Sequence, residues 1–181
     1  ILFLHTDQQR YDTLASAGNP LMHTPNLDQL AESGAFFESF YVQNPVCMPS
    51  RASMLSGRYP TETGVTCNGI PMSENIRCLQ HMLGDAGYFT GIIGKLHFLP
   101  HSARDHRLAH PSYGFDQLQV SDEPGCYRDA YWEWVREQDP SQLDAINCGL
   151  PPARAQWERM TGWDGTVKPP TPREDLEPKA F

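Results

Sequence analysis

"NPVCMPSRASMLSGRYP", residues 44–60, sets a lone cysteine between two prolines and four residues ahead of an arginine. Asn44-Pro45 interrupts whatever precedes it. Pro49 carries the φ of a first helical turn and Gly57 can adopt a left-handed stop, so a helix is predicted from Pro49 to about Ser56. Cys47 then stands just ahead of a helix N-terminus, among unpaired N–H groups and at the positive end of the dipole, and Arg51 adds a fixed cation one turn in. Together they describe an oxyanion cradle with a reactive group at its lip. Local physics leaves three readings of Cys47: a low-pKa thiolate nucleophile, a cysteine converted into another group, or a buried structural thiol with Arg51 an ordinary surface arginine.

Outward from this stretch the pattern alternates. "ILFLHT" at residues 1–6 is a short apolar run that ends in polar residues, which predicts a buried strand with Asp7 and Gln8 at its carboxyl end. "TPNLDQLAESG" predicts a helix, with Thr24 as N-cap, Pro25 in the first turn and Gly34 as its end. "AFFESFYV" at 35–42 predicts an aromatic-rich strand. Ile76, Leu79, Met82, Leu83 and Ala86 keep helical spacing over about 75–86, closed by Gly87, and "YFTGIIG" predicts a further strand. This rhythm is that of an α/β layered domain. Beyond residue 100 it loosens to one predicted helix, "RDAYWEWVREQ", and a Pro-rich surface excursion, "KPPTPREDLEP".

The bulk numbers set limits on function. A chain of 181 residues can bury one sizeable core, and 39% apolar and 20% charged residues argue against disorder of the whole. Its 14 basic and 22 acidic residues leave a formal charge of −8, against a general nucleic-acid or anionic-membrane surface, so an anionic substrate needs local positive charge. Cys47, Cys67, Cys78, Cys126 and Cys148 are odd in number and form no CxxC, which weakens zinc and thioredoxin-like readings. No run reaches the length of a membrane span, and "ILFLHTD" lacks the basic start of a signal peptide. Because the chain does not begin with Met, cytoplasmic and exported locations both stay open.

"CMPSR" at 47–51 fits the C-x-P-S-R signature of the sulfatases, and "ASMLSGRYP" continues the likeness. Three other stretches resemble that family in order and spacing: "ILFLHTDQQRYD" its opening strand and metal loop, "TPNLDQLAESGAFFESFYVQNPVC" the lead-in to the modified residue, and "GYFTGIIGKLHF" its G-K-x-H segment. The resemblance covers residues 1 to about 120. It implies an α/β/α sandwich of the alkaline-phosphatase type, with a mostly parallel central sheet and the site at the carboxyl ends of central strands.

The resemblance also implies a role for each site residue. Cys47 is oxidised to formylglycine by a maturation enzyme. In the hydrated aldehyde one hydroxyl attacks sulfur, and the other later expels sulfate by collapse to the aldehyde. Arg51 holds this diol and neutralises charge, a task suited to a guanidinium fork. Lys95 and His97, placed on one side of a strand end by alternation, contact the sulfate oxygens, and Asn68, in a turn-like Asn-Gly, contacts substrate. Taken without the family, Lys95 is a solvated strand end and His97 a satisfied polar residue.

Asp7 and Gln8 match the first two ligands of a divalent metal: calcium first, with magnesium or manganese as alternatives. Many sulfatases have two aspartates here, and Gln8 removes one negative charge. No D-H-G or D-N-G occurs after residue 120, and "ARDHR" at 103–107 lies too early, so residues 1–181 are expected to be the N-terminal part of a catalytic domain, inactive alone. Within it, 1–120 would hold the core and motifs and 121–181 a helical, Pro-rich excursion. The expected reaction is hydrolysis of a small-molecule or saccharide sulfate ester, with aryl sulfate, sulfated sugar and choline sulfate all open. Trp157 and Trp163 are candidates for a sugar or aryl pocket, or for core. Phosphonate monoester hydrolases share the Asp-Gln pair but carry Tyr and Thr where this chain has Lys95 and His97. A non-catalytic anion-binding fragment is the alternative from another class.

Overall fold

The computed structural model describes residues 1–100, 109–124 and 128–146, and the chain divides into two units at Tyr41/Val42. "KPPTPREDLEP", "ARDHR", Cys126, Cys148, Trp157 and Trp163 lie outside the described residues.

The first unit holds two 3-10 turns, Tyr11–Thr13 and Ala15–Ala17, and helix α1, Pro25–Ser33. Thr24 precedes α1 as expected, but its hydroxyl does not cap the helix backbone. It accepts the Ala15 N–H at 2.9 Å and donates to Asp28 Oδ1 at 3.0 Å, and that same oxygen accepts the Ser16 N–H at 2.8 Å. The link from turn to helix is therefore local and polar. Neither predicted strand forms here. Residues 1–6 and 35–42 have no ladder partner among the described residues, and Ile1 and Tyr41 are 96% and 81% exposed. β propensity records packing on a pleated, half-buried surface, and without that surface apolar and aromatic residues do not order a strand.

The second unit is built around a core of Met48, Ala52, Val65, Met72, Cys78, Leu96, Phe98, Tyr113 and Val120. Its elements are helices α2 (Cys47–Ser56), α3 (Pro60–Thr63) and α4 (Leu79–Asp85), strands β1 (Gly91–Gly94) and β2 (Gln117–Val120), then α5 (Ala130–Gln138) and α6 (Leu143–Ile146). The two strands pair in parallel, Gly91 opposite Gln117 through Gly94 opposite Val120. Asp116 pins the start of this register, its Oδ2 accepting from the Thr90 N–H at 2.7 Å and the Thr90 hydroxyl at 3.0 Å. The α/β class is as expected, and α5 lies where "RDAYWEWVREQ" placed it, with Asp129 accepting the Trp132 N–H at 3.0 Å as its cap. β2 was not anticipated, because "QLQV" carries two glutamines in four residues.

Two helix starts differ from expectation. α4 begins at Leu79 rather than near 75, because the His81 ring Nδ1 accepts the Cys78 N–H at 3.1 Å and closes the helix there. Ile76 packs on the core from the preceding turn. α2 begins at Cys47, two residues ahead of the predicted Pro49. Cys78 is fully buried, and that burial pushes its thiol pKa up. Tyr113, pushed up to about 12 chiefly by burial, donates its hydroxyl to the Met72 carbonyl at 3.1 Å and meets Phe98 edge-on at 5.0 Å.

Candidate active site

Cys47 occupies the first helical position of α2, and the entry to that helix is held by side-chain carbonyls. Asn44 Oδ1 accepts the Val46 N–H at 2.8 Å, and Asn68 Oδ1 accepts the Met48 N–H at 2.9 Å. Pro49 falls in the first turn, where its missing N–H costs no hydrogen bond. Met48 and Ala52, 1% and 0% exposed, anchor the inner face of α2, and Gly57 at φ 67 ends it as predicted. Asn68 does sit in a tight turn, with Gly69 at φ 95, yet its buried side chain is committed to the start of α2.

Lys95 comes directly after β1 and brings its ammonium to Cys47, with Nζ 3.9 Å from Sγ. Arg51 is 6% exposed, and its Nη1 donates to the Lys95 carbonyl at 2.6 Å. This is no surface arginine. It ties α2, one turn on from Cys47, to the end of β1. Strand alternation does not relate Lys95 to His97, because β1 stops at Gly94 with φ 96 and His97 itself lies at φ 51. Two left-handed residues in four destroy a period of two. His97 is 1% exposed and packs into the interior.

Sequence reasoning missed the two acids after β2. Asp122 Oδ1 accepts the N–H groups of both Leu96 and His97 at 2.8 Å, and Glu123 Oε1 meets Lys95 Nζ at 3.5 Å. Both acids are buried. The available signal was "SDEPG", an acid pair at the carboxyl end of a strand, but it was visible only if "QLQV" had been read as one.

Asp7 and Gln8 belong to the first unit, both exposed, with Gln8 in a left-handed turn at φ 54. Their oxygens are the donor type a hard cation takes, and a turn of this kind can present successive side chains to one point. Among the described residues no group of three or more His, Cys, Asp or Glu could hold a metal. The donor set fits calcium or magnesium in kind and gives two ligands of the six to eight calcium commonly takes. Just ahead of α5, Arg128 stacks 4.2 Å over Trp132 of the helix, and Trp134 is exposed beside Tyr131.

The sulfatase family model matches residues 1–142. N-acetylgalactosamine-6-sulfatase of Sus scrofa is 38% identical over 159 residues, which cover 80% of this chain and 29% of that protein. The structure of BT4656 in complex with its substrate D-glucosamine-2-N,6-O-disulfate is 25% identical, with a TM-score of 0.57 over 76% of this chain and 29% of that one. The phosphonate monoester hydrolase of Agrobacterium radiobacter is also 25% identical, with a TM-score of 0.60 over 80% and 29%. The chain thus spans under a third of the length of these proteins and shares their alkaline-phosphatase-like α/β fold. With a family match over more than three-quarters of its length and the CMPSR cysteine at the head of α2, the chain belongs to the sulfatase family.

Proposed function

We propose that this chain carries the nucleophile half of an enzyme that hydrolyses sulfate esters of saccharides. The observation that carries the reading is the convergence on Cys47: a helix N-terminus, the Lys95 ammonium at 3.9 Å, and the Arg51 guanidinium locked to the Lys95 backbone at 2.6 Å. Two cations and an amide-rich helix end suit a tetrahedral dianion in transit.

Cys47, matured to formylglycine, would supply the nucleophilic oxygen at the place its sulfur now marks. Arg51 would hold that oxygen and offset the charge that builds on the transferred group. Lys95, next to the same point, would bind a sulfate oxygen and donate toward the departing alkoxide, and His97 would bind sulfate from the same loop. Asn68 would act by fixing the first turn of α2, because its carbonyl is spent on Met48. Asp7 and Gln8 would give two oxygen ligands to a divalent cation, calcium before magnesium or manganese.

A saccharide substrate is supported by the relatives, one named for N-acetylgalactosamine-6-sulfate chemistry and another bound to a 6-O-sulfated glucosamine. A phosphonate monoester is the second reading, favoured by Gln8 and by the Agrobacterium neighbour.

The test begins with peptide mass spectrometry at Cys47 in the full-length protein, made in a host with the maturation machinery. The expected result is loss of the thiol and gain of an aldehyde or its hydrate. A 6-O-sulfated hexosamine, an aryl sulfate and a phosphonate ester are then compared, with Cys47→Ala as the blank. Sulfate release that Cys47→Ala abolishes bears the reading out. An intact thiol with no sulfate released from any ester overturns it, and faster turnover of the phosphonate selects the second reading.

A further inference from the structure

We propose that the adjacent acids Asp122 and Glu123 are positioning residues for Lys95, one gripping its loop by the backbone and the other its ammonium. The pair lies just past β2 and, because β1 and β2 are parallel, it emerges at the same end of the sheet as Lys95. Gly94 is opposite Val120, so the residues just past each strand run side by side.

The two acids act on different parts of one segment. Asp122 Oδ1 takes the Leu96 and His97 N–H groups at 2.8 Å each, which holds the backbone in the turn that His97 completes at φ 51. A residue with a side chain adopts that conformation at some cost, and the two bonds to Asp122 help hold it. Glu123 Oε1 stands 3.5 Å from Lys95 Nζ, with the two side chains 6% and 16% exposed. The Lys95 ammonium is therefore within 4 Å of both a carboxylate oxygen and the Cys47 sulfur. A lysine ammonium is a point charge on a flexible stem, and a buried anion behind it fixes where the charge sits.

This inference rests on the reading of Lys95 as a sulfate-binding group of a hydrolase. The decisive variant is Glu123→Gln in the full-length matured protein, which keeps the shape and one oxygen and removes the charge. The expected loss in kcat/KM is about 10- to 100-fold, carried by kcat and larger for an alkyl sulfate than for an aryl sulfate with a good leaving group. Acetic anhydride labelling of Lys95, read by peptide mass, is expected to accelerate in the same variant because the amine is no longer held. Asp122→Ala, which removes the acceptor of the Leu96 and His97 N–H groups, serves if Glu123→Gln does not fold, with the same directions expected.

Kinetics and labelling that both match wild type overturn the proposal. So does a kinetic loss with unchanged labelling, or altered labelling with unchanged kinetics. If wild-type protein cleaves no sulfate ester while the variant still changes Lys95 labelling, the hydrolase reading fails and the placement of Lys95 by Glu123 stands.

Discussion

Between Ile1 and Tyr41 no residue is buried, whereas from Val42 onward Met48, Ala52, Val65, Cys78, Leu96 and Phe98 are each at most 1% exposed. Both regions are rich in apolar residues; the first has Ile1, Leu2, Phe3, Leu4, Phe37, Phe40 and Tyr41. The source of order separates them. The first unit is held by short-range polar links such as Thr24 to Ala15 and Asp28, and the second by contacts between segments far apart in sequence, such as Arg51 to Lys95 and Gln80 to Tyr113. An apolar run is thus a statement about what a segment needs, and only a partner turns it into a strand.

The contrast breaks most readily at Phe98. Phe98→Ala is expected to cost about 3–5 kcal/mol in urea unfolding of the 181-residue chain, and Phe40→Ala to stay within about 0.5 kcal/mol. Equal losses would mean that the exposed aromatics are not exposed in solution. Next comes Gly114, at φ 85, where an added Cβ would lie 2.5 Å from His81 Nε2. Gly114→Ala should cost about 1–3 kcal/mol, and a double-mutant cycle with His81→Ala should give a coupling equal to the steric part, with the backbone strain and the lost α4 cap outside it.

Asn68→Ala sharpens the comparison at the helix starts. It leaves the Met48 N–H buried without its acceptor, for an expected loss of about 1–2 kcal/mol by thermal melting, and Asn68→Asp should restore most of it. Thr24→Ala, in the exposed unit, should cost less than half as much. At the smallest scale the two units should agree. The exposed pairs Arg10–Asp12 and Arg77–Asp85 should each contribute about 0–0.5 kcal/mol, and neutralising Asp12 or Asp85 should leave the melting point nearly unchanged.

Legibility in the sequence tracked the same division. α1 and α2 were readable because their signals are local: Pro25 and Gly57 sit within a turn of what they control. Cys47 and Arg51 were readable for the same reason, being one turn apart on one helix. The strands at 1–6 and 35–42 were overread, because an apolar run and aromatic content cannot report whether a neighbouring strand is present. Lys95 does reach Cys47, but left-handed Gly94 and His97 stand in place of the strand alternation that pointed to it. Asp122 and Glu123 were missed, as their partners lie 25 to 28 residues away across a parallel pairing. For Asn68 the Asn-Gly turn was legible, but not the bond by which its Oδ1 holds the Met48 N–H at the start of α2.

The pairing of Gly94 with Val120 also governs how such a chain can change its length over evolution. A residue inserted within β1 or β2 would slide one strand along the other by about 3.3 Å and flip the faces beyond it, carrying Glu123 away from Lys95. A residue inserted in the connection after Phe98 and before Asp116 would leave that alignment untouched. Insertions and deletions should therefore be tolerated between the strands and purged within them, so the connection is where relatives can diverge in length while the lysine keeps its place.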